Sequence, residues 1–207
     1  MSDRAPESEQ LIVQAHDGLA LVMLNRPQAF NTLSIDTLAE LTQAFGWLSR
    51  RPDLGAAIVS GNGGEAFAAG ADIGEVAALD GVTAVRFARR GQQLCQLIER
   101  GPQVVIAAIN GYCLGGGLDV AMACHLRYAS WRSTFAHPGA RIGIMTGFGG
   151  TQRLPQLVGK SWALELFLTG KRMTAEEAYN LGLINGVIQN RSVLEAARAA
   201  AMKIIQR

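Results

Sequence analysis

The sequence predicts an α/β fold of stacked β-β-α units, and three observations carry that expectation. Apolar, β-branched runs alternate with segments of helical period along the chain. Two of these runs, Ala56-Ala57-Ile58-Val59 and Val104-Val105-Ile106-Ala107-Ala108-Ile109, read as strands buried within a sheet. Each passes through a turn rich in Gly and Ala into a helical pattern: Ala66-Phe67-Ala68-Ala69-Gly70-Ala71-Asp72-Ile73 after the first, and Asn110-Gly111-Tyr112-Cys113-Leu114-Gly115-Gly116-Gly117-Leu118-Asp119 after the second.

The elements follow in order. Leu11-Ile12-Val13 and Leu19-Ala20-Leu21-Val22-Met23-Leu24 flank His16-Asp17-Gly18, a hairpin signature, and Pro27 ends the second strand. Ser34 opens a helix over 34–51, with Leu38, Leu41, Phe45 and Leu48 at helical spacing. After the buried strand at 56–60 comes a loop, Gly61-Asn62-Gly63-Gly64. Asp72 then begins a short helix, and a longer one over 83–100 stops at Gly101-Pro102. The second buried strand leads into an unusually apolar helix over 116–124. Short strands at 126–129 and 133–136 precede helices over 149–158 and 161–169. Thr174-Ala175-Glu176-Glu177 and Ser192-Val193-Leu194-Glu195 read as capping boxes for two last helices. No linker, low-complexity block or internal sequence repeat interrupts the 207 residues, which read as one domain.

Composition narrows the function. Hydrophobic residues make up 49% and charged residues 17%, which suits a globular chain and excludes a disordered one. A net charge of +2 gives no reason to expect nucleic acid or an acidic membrane surface as partner. The apolar run at 104–109 is far too short to span a bilayer. Residues 1–10 are polar and acidic, so they read as a loose arm and not as a signal or transit peptide. Cys95, Cys113 and Cys124 show no C-x-x-C spacing and fit buried, reduced thiols of a cytoplasmic protein. His16, His125 and His137 have no metal-ligand spacing with one another or with the cysteines, so no metal centre is expected. Gly159-Lys160-Ser161 imitates the end of a phosphate-binding loop, but Leu154 stands where its first glycine belongs.

The two Gly/Ala turns carry the chemistry. Neither residue type has bulk to block close approach, so two bare backbone N–H groups can serve as fixed donors to an oxyanion growing on a carbonyl or thioester oxygen. The helix after the second turn adds its positive N-terminal end. With Asn25-Arg26-Pro27-Gln28-Ala29-Phe30-Asn31, Gly147-Phe148-Gly149-Gly150-Thr151-Gln152-Arg153-Leu154-Pro155, the 169–178 segment and Gly182-Leu183-Ile184-Asn185, they form six pieces in one order. In these the chain resembles the crotonase, or enoyl-CoA hydratase/isomerase, superfamily, over about residues 25–188.

The resemblance implies a crotonase-like spiral of repeated ββα units with peripheral helices. It also implies an acyl-CoA thioester substrate and an enolate held in an oxyanion hole by the N–H groups of Ala71 and Gly116. Coenzyme A, part of the substrate and not a resident cofactor, would lie along Ala29, Ala69, Asp72 and Ile73, with Tyr112 and Pro138 on the substrate side. Arg26 is the nearest cation for its phosphates, and equally reads as an ordinary surface arginine. Homotrimers, often paired into hexamers, are the implied assembly. Further C-terminal helices usual in the family are short or missing here, which predicts a shallow, solvent-accessible pocket and a last helix whose apolar face finds a partner.

Two positions depart from the hydratase pattern. Asp119, in the first turn of the apolar helix, stands where hydratases carry a Glu that helps hold water. Its carboxylate is drawn back by about one C–C bond, roughly 1.5 Å, although dienoyl-CoA isomerases of the family carry Asp there. The alternative for Asp119 is a simple partner of the helix dipole. Gly139, after Pro138, stands where hydratases carry the Glu that protonates the α-carbon, and a glycine can neither give nor take a proton. His137, Tyr112 and Arg141 are the nearby candidates to replace it. A turn histidine facing away and a packing tyrosine are the competing readings of the first two. Acyl-CoA binding without hydration, and another enolate reaction such as decarboxylation, stand beside hydration and isomerisation as functions.

Overall fold

The computed structural model describes residues 5–206. Of the expected loose arm, residues 1–4 lie outside the described residues. Ser8 and the Gln10 N–H both hydrogen-bond the Glu40 carboxylate.

The chain starts with a hairpin of β1 (Leu11–His16) and β2 (Leu19–Leu24). Asp17 and Gly18 at its tip both have positive φ, 52° and 78°, the left-handed pair that a two-residue Asp-Gly turn demands. Helix α1 (Ile35–Leu48) follows, its first turn closed by the Ser34 hydroxyl, which accepts from Thr37 N–H at 3.0 Å. Three units then repeat one theme. β3 (Ala56–Gly61) and β4 (Ala66–Ala68) lead to α2 (Ile73–Ala77) and α3 (Gly81–Arg100); β5 (Val104–Ile109) and β6 (Tyr112–Leu114) lead to α4 (Gly116–Ala123). β7 (Leu126–Ser130) and β8 (Thr134–Ala136) lead to α5 (Gly150–Val158) and α6 (Lys160–Thr169). β9 (Met173–Thr174), α7 (Ala175–Asn180), β10 (Gly186–Ile188) and α8 (Val193–Ile205) complete the chain.

The first strand of each unit enters a six-stranded sheet of order β1-β2-β3-β5-β7-β10, parallel except for the opening hairpin. The second strand of each unit enters a smaller sheet of order β4-β6-β8-β9. Each unit thus advances both sheets by one strand, which is the spiral. The expected α/β class and ββα repetition match. The short strands β4, β6, β9 and β10 were not anticipated, because strands of two or three residues carry no periodic signal and exist only by pairing with strands distant in sequence.

The two-residue period of a strand divides the core. Ala57 and Val59 of β3 and Val105, Ala107 and Ile109 of β5 face a main core shared with α1, α3 and α4. Ala56, Ile58, Ile106 and Ala108 face the opposite way and meet Val193, Ala197 and Ala201 of α8. The apolar stripe of the last helix is thus covered by the back of the large sheet. The capping boxes at Thr174/Glu177 and Ser192/Glu195 are both formed.

Candidate active site

The site begins where the two Gly/Ala turns touch. Gly70 has φ +103° and Gly115 has φ +49°, and a Cβ on Gly70 would lie 3.2 Å from the Leu114 carbonyl oxygen. A Cβ on Gly117 would lie 2.3 Å from the Ala68 carbonyl oxygen, so α4 lies against β4 with no side chain between. These two glycine positions explain why the turns can be adjacent.

Hydrogen bonding then aims the donors. The Gly70 carbonyl accepts from Leu33 N–H at 2.8 Å, and Asp72 N–H donates to the Leu33 carbonyl at 3.2 Å. Alternation along the extended chain turns the Ala71 N–H between them to the other side. Gly116 is the first residue of α4, and the Gly115 carbonyl accepts the Asp119 N–H at 3.1 Å. The Gly116 N–H is therefore one of the helix-initial donors without an intrahelical partner. Ala71 and Gly116 both line one cavity of about 300 Å³.

That cavity is mostly apolar. Val76, Leu79, Phe87, Phe148 and Phe167 line it, together with the exposed Ile142, Ile144 and Met145. Ala69, Ile73 and Pro138 line it as well, whereas Ala29, Asp72 and Tyr112 lie outside its wall. Ala29 ends the 3-10 turn Pro27–Ala29, beside which Ala69 N–H donates to the Phe30 carbonyl at 3.0 Å. Asp72 caps α2 through Gly74 N–H at 3.1 Å and pairs with Arg26 at 3.6 Å. Arg26 also holds the Thr32 carbonyl at 2.9 Å, which gives it a local role in this turn. Tyr112 is 39% exposed and packs edge-on against Phe30. Arg141 leaves its guanidinium beside Gly170 and does not enter the cavity wall.

Asp119 is fully buried directly behind that wall. The Thr146 hydroxyl and the Phe148 N–H, at 3.3 Å, both donate to its Oδ2. Burial lifts the carboxyl to about 6, against the pull of these two donors and of Arg153. Phe148 fills space that two glycines vacate: a Cβ on Gly91 would lie 2.1 Å from its ring and one on Gly116 2.8 Å. Arg153 donates to the Phe148 carbonyl at 2.8 Å and to Glu99 at 2.5 Å, fixing the loop to α3. A Cβ on Gly150 would lie 2.1 Å from Asp119 Oδ1, so the glycines of Gly147-Phe148-Gly149-Gly150 give the carboxylate room. Thr146 and Phe148 as partners of Asp119 were not anticipated, since the motif shows glycines without showing what they approach.

His137 does not face away. It is 4% exposed, lines the cavity, stacks on Phe167 at 4.8 Å between ring centres, and brings Nε2 to 3.6 Å from Asp119 Oδ1. Burial lowers its imidazole to about 4, so the contact joins a neutral ring and a carboxyl group rather than two opposite charges. Gly139 lines the cavity as well, and a Cβ there would lie 2.2 Å from the Ile144 carbonyl oxygen. No helix among the described residues is long and apolar enough to cross a membrane.

A spiral of two sheets whose Gly/Ala turns meet beside an apolar cavity is a crotonase-type fold, and comparison with known proteins agrees. Residues 14–207 match the family model for enoyl-CoA hydratase/isomerase. The chain is 39% identical over 199 residues to a crotonyl-CoA hydratase of Syntrophomonas wolfei, covering 96% of this chain and 76% of that one. Among solved structures it superposes on Pseudomonas aeruginosa DspI with TM-score 0.93 and 38% identity, covering 98% of this chain and 77% of that one. It superposes on an enoyl-CoA hydratase of Bacillus anthracis with TM-score 0.92 and 34% identity, covering 96% and 78%. The chain belongs to the enoyl-CoA hydratase/isomerase family.

Proposed function

We propose that this chain acts on acyl-CoA thioesters, holding the thioester oxygen between the N–H groups of Ala71 and Gly116 while an enolate forms. The observation that carries this reading is the contact of the Gly70–Ala71 and Gly115–Gly116 turns at the mouth of one apolar cavity. Two preorganised donors and the N-terminus of α4 favour negative charge on that oxygen. The apolar lining of the cavity suits an acyl chain. Coenzyme A would run out past Ala69, Ile73 and Pro138 toward Ala29, Asp72 and Tyr112, bound without a resident cofactor or metal. A homotrimer or a hexamer of paired trimers in the cytoplasm is the assembly this reading carries with it.

Classical hydration should be slow. It needs a proton delivered to the α-carbon, worth about 10²–10⁴-fold, and Gly139 has no room for a side chain in this backbone. Gly139 also favours a second reading, an acyl-CoA-binding member of the family without hydratase activity. One sample tests both: butanoyl-CoA binding by calorimetry and crotonyl-CoA hydration by loss of enoyl absorbance. Binding with weak hydration is expected. No binding would sink both readings, and hydration at the rate of an efficient hydratase would sink the inference from Gly139.

A further inference from the structure

We propose that Phe148 sets the length of acyl chain that this cavity accepts. The proposal rests on the acyl-CoA reading and deepens it. The ring lies in the gap between α3 and α4, and each helix meets it with a glycine. A Cβ on Gly91 of α3 would lie 2.1 Å from Cδ1 of the ring, and one on Gly116 of α4 would lie 2.8 Å from Cε2. Opposite edges of one ring thus touch both helices, and Phe148 is buried between them. Gly116 is also the residue proposed to hold the thioester oxygen, so an acyl chain starts beside this ring.

The ring is held in place. Phe148 N–H donates to Asp119 Oδ2 at 3.3 Å and its carbonyl accepts from Arg153 at 2.8 Å, which ties the backbone on both sides. The Phe87 ring packs against it at 5.4 Å between centres, tilted by 55°. A chain in the cavity therefore cannot pass between α3 and α4. The cavity, about 300 Å³, is at the small end of ligand sites. Elsewhere its lining includes Ile142, Ile144 and Met145, which are exposed. Carbons that leave on that side stay partly in water and add little affinity.

Removing the ring opens the gap without touching the bonds that hold the loop, since those are made by backbone groups. Phe148 is part of the cavity lining, so the void left by Phe148→Ala joins the cavity. Apolar voids made by truncating a buried side chain stay dry and take up hydrocarbon. Each methylene that enters such a void is worth about fourfold in affinity.

Calorimetry on the full chain with hexanoyl-CoA and decanoyl-CoA reads the proposal as the ratio of two affinities. The wild type should bind the pair within about threefold of one another, and F148A should favour decanoyl-CoA by at least about tenfold. Gly91→Leu added to F148A returns bulk to the same gap from α3, and should bring the ratio back to within about threefold. A merely loosened fold would show no such return. A wild type that already favours decanoyl-CoA tenfold, an F148A ratio equal to that of the wild type, or no return in the double variant would each overturn the proposal. Failure of the wild type to bind either thioester would instead overturn the acyl-CoA reading beneath it. Should F148A fail to fold, Phe148→Leu carries the test, with a shift of about threefold toward decanoyl-CoA expected. An unmoved ratio in that variant would overturn the assignment.

Discussion

The side of the cavity that carries Ala71 and Gly116 is made of backbone, whereas the side that carries His137, Gly139 and Asp119 works through side chains. On the first side, position is set by close approach: Gly70 against Leu114, Gly117 against Ala68, and strand-like bonding of Gly70 and Asp72 to Leu33. Any side chain added at these glycines strikes backbone, so the geometry is fixed by what is missing. On the second side the backbone gives room and a side chain decides. Asp119 sits in space left by Gly150, and His137 stands in a wall where Gly139 offers nothing. On the proposed reading, binding of the thioester oxygen and handling of the proton are separable in this fold. One can be kept while the other is rebuilt.

The largest effect should come from the backbone side. Gly116→Pro removes one donor N–H and should cut turnover by about 10²-fold or more, the usual loss for an oxyanion donor. Because a Cβ at 116 would lie 2.8 Å from Phe148, the aromatic circular dichroism of the variant must stay native for the donor to be blamed. Normal turnover in a folded G116P would break the comparison at its first term.

The side-chain half can be read by pH. Folding raises the Asp119 carboxyl from 3.8 to about 6, so its contribution to stability is fully present below pH 3.8 and lost as pH rises through 6. Folding lowers the His137 imidazole from 6.5 to about 4, so its contribution is present above pH 6.5 and lost as pH falls through 4. Between these limits the two slopes oppose each other, each on the order of 3 kcal/mol. Asp119→Asn should therefore gain stability as pH rises from 4 to 6.5, and His137→Gln should lose it over the same range. Urea unfolding at several pH values checks this. Parallel slopes in the two variants would show that the groups do not titrate as a pair of opposed, buried sites.

The smallest expected effect sharpens the role of Gly139. Gly139→Ala pushes a methyl against the Ile144 carbonyl and should cost about 2 kcal/mol, typical of overpacking. A neutral result in urea unfolding would mean that the 140–147 loop yields freely. A glutamate could then be restored there to test for hydration.

Much of this was legible in the sequence. The period of apolar residues gave β3, β5, α1 and α3, and the D-G pair and capping boxes gave the first hairpin and the starts of α7 and α8. These signals are local, since helix spacing, turn φ and caps involve residues a few positions apart. Two Gly/Ala turns after buried strands likewise marked where Ala71 and Gly116 line one cavity. Of the second sheet only β8 was legible, because β4, β6 and β9 are two or three residues each and are strands only by pairing across the spiral. Nor was the direction of His137. Its ring lies in the wall because the turn after β8 meets α4 and α6 in space, bringing it to Asp119 and Phe167. The chain by itself determined where two Gly/Ala turns follow buried strands and that a glycine stands at position 139. Tertiary packing alone decided which titratable group reached the cavity, because burial and distance between residues far apart in sequence exist only once the core has closed.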